Sequence, residues 1–212
     1  MITIAKLIFY DDKHEYQVGD EILPSVSEIL RFITREMYAD VHQYTLDQAA
    51  DRGKRVHAAT ENLDRYGEVQ IDADIQPYVE AYIKWRRQYE PQWTRIEYAC
   101  YHPEMMYAGT LDRYGTIRGE QYIVDIKTTA TLHTHRETAQ LNGYQKLAEA
   151  NGLKVDKRAI LQLKKDGTFK FKEIDNDDSL FMACYLIHTS TAKKGGRNSG
   201  RSKTGSAGNR NS

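Results

Sequence analysis

Seven residues near the middle of the chain, QYIVDIK at 121–127, have a pattern that fits a β-strand built into a core. Tyr122, Ile123, Val124 and Ile126 are aromatic or β-branched, the residue types that pack best on a pleated surface. Side chains two apart share a face of a strand. Ile123, Asp125 and Lys127 therefore point one way, and Tyr122, Val124 and Ile126 the other. Two opposite charges interrupt one face of an otherwise apolar strand.

The neighbouring segments imply a sheet around this strand. WTRIEYACYH and YAGTLDRYGTI read as two further strands, separated by the turn-forming HPEMM, and RGE joins the second of them to QYIVDIK. A helix is expected through ETAQLNGYQKLAEAN, stopped by Gly152, then a hairpin of RAILQLK and FKFKEI around KDG. DDSLFMACYLIHTSTA reads as a last helix capped by an aspartate. Before the sheet, ITIAKLIFY and EYQV form a hairpin around DDKH, and LPSVSEILRFIT starts a helix with Ser25 as N-cap and Glu28 completing a capping box. A second helix runs from Gln43 to about Tyr66. A third covers IQPYVEAYIKWRRQY, with Tyr78, Tyr82 and Trp85 near one face. The expectation is one α+β domain over residues 1–192, a central mixed sheet flanked by helices with a helical N-terminal part, and a basic low-complexity tail over 193–212.

Composition removes several function classes. The chain has 212 residues, and no apolar run approaches the twenty or so of a membrane span. With MITIAKLIFYDD too short in apolar residues to read as a secretory signal, the expected location is the cytoplasm. Cys100 and Cys184 alone make neither a zinc framework nor a cluster of four thiolates. The 30 basic and 30 acidic side chains cancel, but the last twenty residues hold six Lys/Arg and no acid, leaving residues 1–192 with 24 basic against 30 acidic. An acidic body does not coat nucleic acid in bulk, so any such contact must use local basic clusters.

The D-x-K spacing of Asp125 and Lys127 says little alone, since Asp11-Asp12-Lys13 has a similar look in what reads as a solvated turn. Register adds to it. An antiparallel pair closed by an even-length loop at Arg118-Gly119 sets Asp112 opposite Asp125, and the same construction at HPEMMY sets Glu97 beside Asp112. Opposed like charges in a sheet destabilise it unless compensated. A divalent cation is the simplest compensation, and carboxylate oxygens suit Mg2+ or Mn2+. Lys127 would stand ready to orient water or neutralise charge on phosphoryl oxygens. The plain alternative is that both aspartates are exposed strand residues, one of them paired with Lys127.

The ordered set GKRVH57, GTLD112, IVD125IK127T and Q140LNGY144 resembles the RecB-like and phage exonuclease branch of the PD-(D/E)XK nuclease superfamily, and LPSVSEIL is similar to the opening of its phage members. The match spans roughly residues 23–150. The resemblance implies a restriction-endonuclease-like core, a metal held by His57, Asp112, Asp125 and the backbone carbonyl of Ile126, Lys127 as the catalytic lysine, and Gln140 and Tyr144 lining the cleft. It implies a Mg2+- or Mn2+-dependent deoxyribonuclease using one or two ions, an exonuclease before an endonuclease, acting on double- or single-stranded DNA in recombination, repair or phage DNA processing. A recombination or single-strand-binding partner protein and an oligomer are compatible with it; a membrane is not required. Leu111 stands where the name motif has proline. A catalytically inactive DNA-binding protein is the alternative from another class.

Further candidates carry bland readings beside functional ones. Glu97 rests on register alone. Glu61 lies one turn from His57 and reads more simply as a solvated helix residue. Arg52, Lys54 and Arg55 could grip phosphate, yet a charge run on a helix is usually its wet face. His133 and His135 fall in the loop after the aspartate strand, and most of the fifteen tyrosines suit a core as well as base stacking.

Overall fold

The computed structural model describes residues 6–10, 13–37 and 39–196. The N-terminal hairpin pairs β1 (Leu7–Tyr10) with β2 (Glu15–Val18), and Lys13 is exposed in its turn; Asp11 and Asp12 lie outside the described residues. A third strand, β3 (Glu21–Leu23), follows β2 antiparallel across Gly19-Asp20. It was not expected because three residues are too few to display an alternation. Ser25 caps α1 (Val26–Ile29) as predicted: its Oγ accepts from the Glu28 amide at 3.1 Å while Glu28 Oε2 accepts from the Ser25 amide at 2.8 Å. The single helix foreseen here is interrupted at Leu30 (φ −82°, ψ 0°) and resumes as α2 (Arg31–Met37).

Helix α3 (Gln43–Tyr66) ends on Gly67, whose φ of +78° suits glycine as the left-handed terminator. Helix α4 (Gln76–Tyr89) buries Tyr78, Tyr82 and Trp85, the aromatic face read from its periodicity. A five-stranded sheet follows in the order β4 (Gln92–His102), β5 (Tyr107–Ile117), β6 (Glu120–Lys127), β7 (Lys157–Leu163), β8 (Phe169–Glu173). Only β6 and β7 run parallel, which requires the crossover that α5 (Thr134–Ala150) supplies. The fold is thus α+β, with a mixed sheet between two helical layers.

Helices α1, α5 and α6 (Ser179–Gly196) cover one face, packing Ile29, Leu141, Leu147 and Phe181 on Leu111, Ile123 and Ile160. Helices α3 and α4 cover the other, with Val56, Tyr82 and Trp85 on Val124, Ile126 and Leu161. Each fully buried aliphatic or aromatic side chain contributes roughly 1.5–3 kcal/mol relative to exposure, so both layers are held by the sheet rather than by helix propensity. The small sheet seals the outer end of β4 and β5 through Tyr16, Val18 and Leu23 against Tyr101 and Ala108. Asp177 Oδ1 accepts from the Ser179 amide at the start of α6. That helix continues to Gly196, four residues into the segment expected to be tail; residues 197–212 lie outside the described residues. Among the described residues no helix is long and apolar enough to cross a membrane.

Candidate metal centre and cleft

The turn between β5 and β6 sets the register of the site. Arg118 (φ +51°) and Gly119 (φ +88°) both hold positive φ, the signature of the tight two-residue turn that matches strand twist. From it the ladder runs from Ile117↔Glu120 to Arg113↔Val124, a register that brings Asp112 opposite Asp125. There the ladder stops. The Ile126 amide donates to Asp112 Oδ2 at 2.7 Å, so the carboxylate takes the first N–H that the parting strands release.

The other side of β5 is irregular at the same point. Pairs Ile96↔Arg113 and Tyr98↔Leu111 flank a skipped pair, Glu97 with Asp112, and Glu97 has a φ of +47°. Leu111 and Tyr114, three apart, pack into the same core, so the facing alternation slips by one residue across Asp112 and Arg113. Asp112 consequently turns to the Ile126 amide and His57, while Arg113 reaches toward α3 and α4.

The expected row of three carboxylates across a flat sheet is therefore replaced by a different set. Among the described residues, one ligand atom each from His57, Glu97 and Asp112 lies within 4.8 Å of the other two. His57 comes from α3, with Nδ1 at 3.4 Å from Glu97 Oε1 and 3.7 Å from Asp112 Oδ2. Its Nε2 is 3.1 Å from the carbonyl oxygen of Ile126, the backbone atom that the sequence resemblance names as a ligand. That contact would fix the ring orientation and leave Nδ1 as the ligand atom. Asp125 is not among the three; its Oδ2 lies 2.6 Å from Lys127 Nζ.

Burial dominates the electrostatics. It raises the pKa of Asp112, to which the Glu97 charge adds, against His57 and Lys127. It raises Asp125 likewise, opposed by Lys127. Burial disfavours the His57 imidazolium, but the Asp112 and Glu97 carboxylates outweigh it and hold the ring's pKa up at about 9. These acids and this base cannot all relax while the protein is metal-free, and a cation would discharge the conflict.

Gln140 and Tyr144 lie one turn apart on α5, and Gln140 Nε2 donates to the Tyr144 hydroxyl at 3.0 Å. Burial, with the Asp125 and Asp112 charges, holds the Tyr144 phenol well above its ordinary pKa. Arg136 Nη1 reaches Gln140 Oε1 at 3.4 Å, extending the line toward the start of the helix. Helix α5 begins three residues earlier than predicted, so His135 lies in its first turn, exposed, and His133 is at its N-cap position rather than within a free loop. The loop between β6 and α5 is tied down by Gln162, whose Nε2 donates to the Thr129 and Ala130 carbonyls.

The remaining candidates resolve toward their structural readings. Glu61 accepts from Arg65 Nε at 2.7 Å and is not among the three clustered donors. Arg55 is held by Asp51, Asp72 and Asp74, which removes it as a phosphate grip. Arg52 sits over the Tyr78 ring, and Lys54 is exposed. Two residues escaped the sequence reading. Glu137, 3% exposed, has its carboxyl pKa raised by burial, and its Oε2 has no hydrogen-bond partner. Arg113 is fully buried beside Asp112. Its signal was available: on a regular strand it falls on the apolar side, where an arginine needs a buried partner.

No family model matches the sequence, and no curated protein matches it. Among solved structures, similarity is found to an alkaline exonuclease (LHK-Exo) from Laribacter hongkongensis, at 13% identity and a TM-score of 0.38 over 68% of this chain and 85% of that one. The same exonuclease in complex with dAMP gives 14% identity and a TM-score of 0.37 over 83% and 94%. SSO0001 gives 16% and 0.42 over 84% and 79%. Likeness at this level carries no weight for the chemistry, which is read from the side chains.

Proposed function

We propose that this protein is a divalent-metal-dependent deoxyribonuclease of the PD-(D/E)XK type, more an exonuclease than an endonuclease. The observation that carries the reading is the convergence of His57, Glu97 and Asp112 within 4.8 Å beside the Asp125–Lys127 pair, at a point where a sheet opens. Two carboxylates and an imidazole fit Mn2+ or Mg2+, and the buried Asp125 Oδ2 has Lys127 as its ion-pair partner and no directed hydrogen bond. When bound, such a cation supplies Lewis-acid charge, polarising a phosphoryl oxygen and making water more acidic.

The chain's own groups do the rest. Asp112 holds its orientation through the Ile126 amide, and His57 through the Ile126 carbonyl. Lys127, with its side chain 17% exposed, can turn from Asp125 toward the phosphodiester and neutralise charge developing on its oxygens. Gln140 and Tyr144, bonded to each other on α5, would line the cleft and hold the scissile strand, with Arg136 a further cation near their line. Both DNA and the metal bind, on this reading, at the open end of the β5–β6 ladder.

End-labelled linear DNA and closed circular DNA, each incubated with protein and Mn2+, test it. Wild type should shorten the linear substrate and leave the circle intact. Asp112→Asn and Lys127→Ala should each lose at least about 100-fold in rate while melting as cooperatively as the parent. Undiminished cleavage by either variant sinks the assignment. Cleavage of the circle would move the assignment to an endonuclease.

A further inference from the structure

We infer that Arg113 is the positioning residue of the metal centre, a buried fork that aims all three donor residues at one point. The inference rests on the metal-centre reading above and concerns what holds that centre together. Arg113 leaves β5 toward α3 and is 0% exposed. Its Nη1 donates to Glu97 Oε1 at 3.0 Å and to the Asp112 carbonyl at 2.7 Å. Its Nη2 donates to Thr60 Oγ1 at 3.0 Å, and that hydroxyl donates to the His57 carbonyl at 3.0 Å. Glu97 and Asp112 are thus one hydrogen bond from the guanidinium, and His57 is two.

The anchor lies on the helix that carries His57. Arg113 Nε donates to Asp64 Oδ2 at 2.7 Å. Residues 57, 60 and 64 fall at i, i+3 and i+7 of α3, one face of the helix. Asp64 also accepts from the Tyr82 hydroxyl and pairs with Arg86 at 3.3 Å, and the Tyr82 ring lies 5.9 Å from the guanidinium carbon. The planar fork therefore joins β4, β5 and α3, the three elements that supply the donors. A lysine could occupy the volume but not make these bonds at once, since its ammonium is a single point donor.

The positive charge has a second consequence. Glu97 sits at an irregular strand position with positive φ, where backbone pairing does little to fix it. Its Oε1, which accepts from Arg113, is also the oxygen 3.4 Å from His57 Nδ1, so the guanidinium holds the carboxylate against the histidine. The bond to Arg113 thereby keeps the Glu97 carboxylate turned toward His57 and Asp112. Residues that orient a ligand in this way typically contribute 10–100-fold in metal affinity.

Mn2+ binding to the full-length protein without DNA, followed by isothermal titration calorimetry, tests the inference separately from catalysis. Four proteins are compared with the parent: Arg113→Lys, Glu97→Gln, the charge-balanced pair Arg113→Met with Asp64→Asn, and Arg113→Lys combined with Glu97→Gln. The paired substitution avoids leaving Asp64 as an uncompensated buried charge. Arg113→Lys and the charge-balanced pair should each bind Mn2+ 10–100-fold more weakly. Once Glu97→Gln has removed the carboxylate that Arg113 aims, adding Arg113→Lys should cost less than the single change does. Parent-like affinity in the charge-balanced variant overturns the inference, as does full additivity of Arg113→Lys and Glu97→Gln. A parent that binds no Mn2+ removes the metal centre itself, and this role of Arg113 with it; a parent that binds while the variants match it removes only the role.

Discussion

The charges around Asp112 make the metal-free protein sensitive to alkali. His57 has its pKa raised from 6.5 to about 9 in the folded chain, so its contribution to stability is complete below about pH 6.5 and is lost as pH rises toward 9. Asp112 and Asp125, raised by burial, act in the same direction, because the folded state holds their protons more tightly than the unfolded one. In EDTA, denaturant titrations should show stability falling between pH 6.5 and 9. The expected loss is about 1–2 kcal/mol, less than the roughly 3 kcal/mol that the shift implies, because the ring is 27% exposed. A rise in stability over that window would contradict the His57 geometry. Metal uptake must also displace the His57 proton, so calorimetry in two buffers of different ionisation enthalpy should register proton release at pH 7.5. Asp125 and Lys127 were legible as residues of interest from strand alternation, and an ion pair of Lys127 with one of the two aspartates was the plain alternative there, but which aspartate it meets was not legible. Alternation says which way a side chain points and nothing about which neighbour it meets there.

At the scale of elements, α5 carries Gln140 and Tyr144 and depends on a close approach to α6. A Cβ built on Gly143 would lie 2.7 Å from Phe181 Cε2, and Phe181 is fully buried with nowhere to retreat. The same glycine's carbonyl accepts from the Tyr107 hydroxyl at 2.9 Å, so the helix cannot slide freely either. Gly143→Ala gains up to about 1 kcal/mol in helix propensity, but overpacking typically costs 1–3 kcal/mol. The expected net is a loss of about 1–2 kcal/mol, seen as a melting temperature lower by about 2–8 °C. A variant that melts higher than the parent would mean α6 can move aside. Ser25→Ala, which removes one half of a capping box, should cost about 1 kcal/mol by chemical denaturation. Helix limits such as Gln43–Tyr66 were readable because caps and glycines are local signals, whereas β3 and the break at Leu30 are too short to leave a periodicity.

Across the whole molecule, charge is divided between an acidic body and a basic C-terminal segment, and residues 197–212 alone carry four arginines and lysines. Removing them should lower affinity for duplex DNA and flatten the dependence of log K on log salt by about 1–3, without changing the melting temperature. An unchanged slope would show that the segment does not contact phosphate. The sequence by itself determined the order and type of the major elements, the sandwich of helices about a sheet, and the register that opposes Asp112 to Asp125. Those features follow from local chemistry: period-two alternation, caps, and an Arg118-Gly119 turn that admits one tight geometry. Tertiary structure decided the rest. It placed His57 against Glu97 across 40 residues, turned Asp112 onto the Ile126 amide, and sent Arg113 inward to Asp64 49 residues away. These contacts arise where the ladder fails, and a ladder fails where distant helices offer its polar groups better partners than the neighbouring strand does.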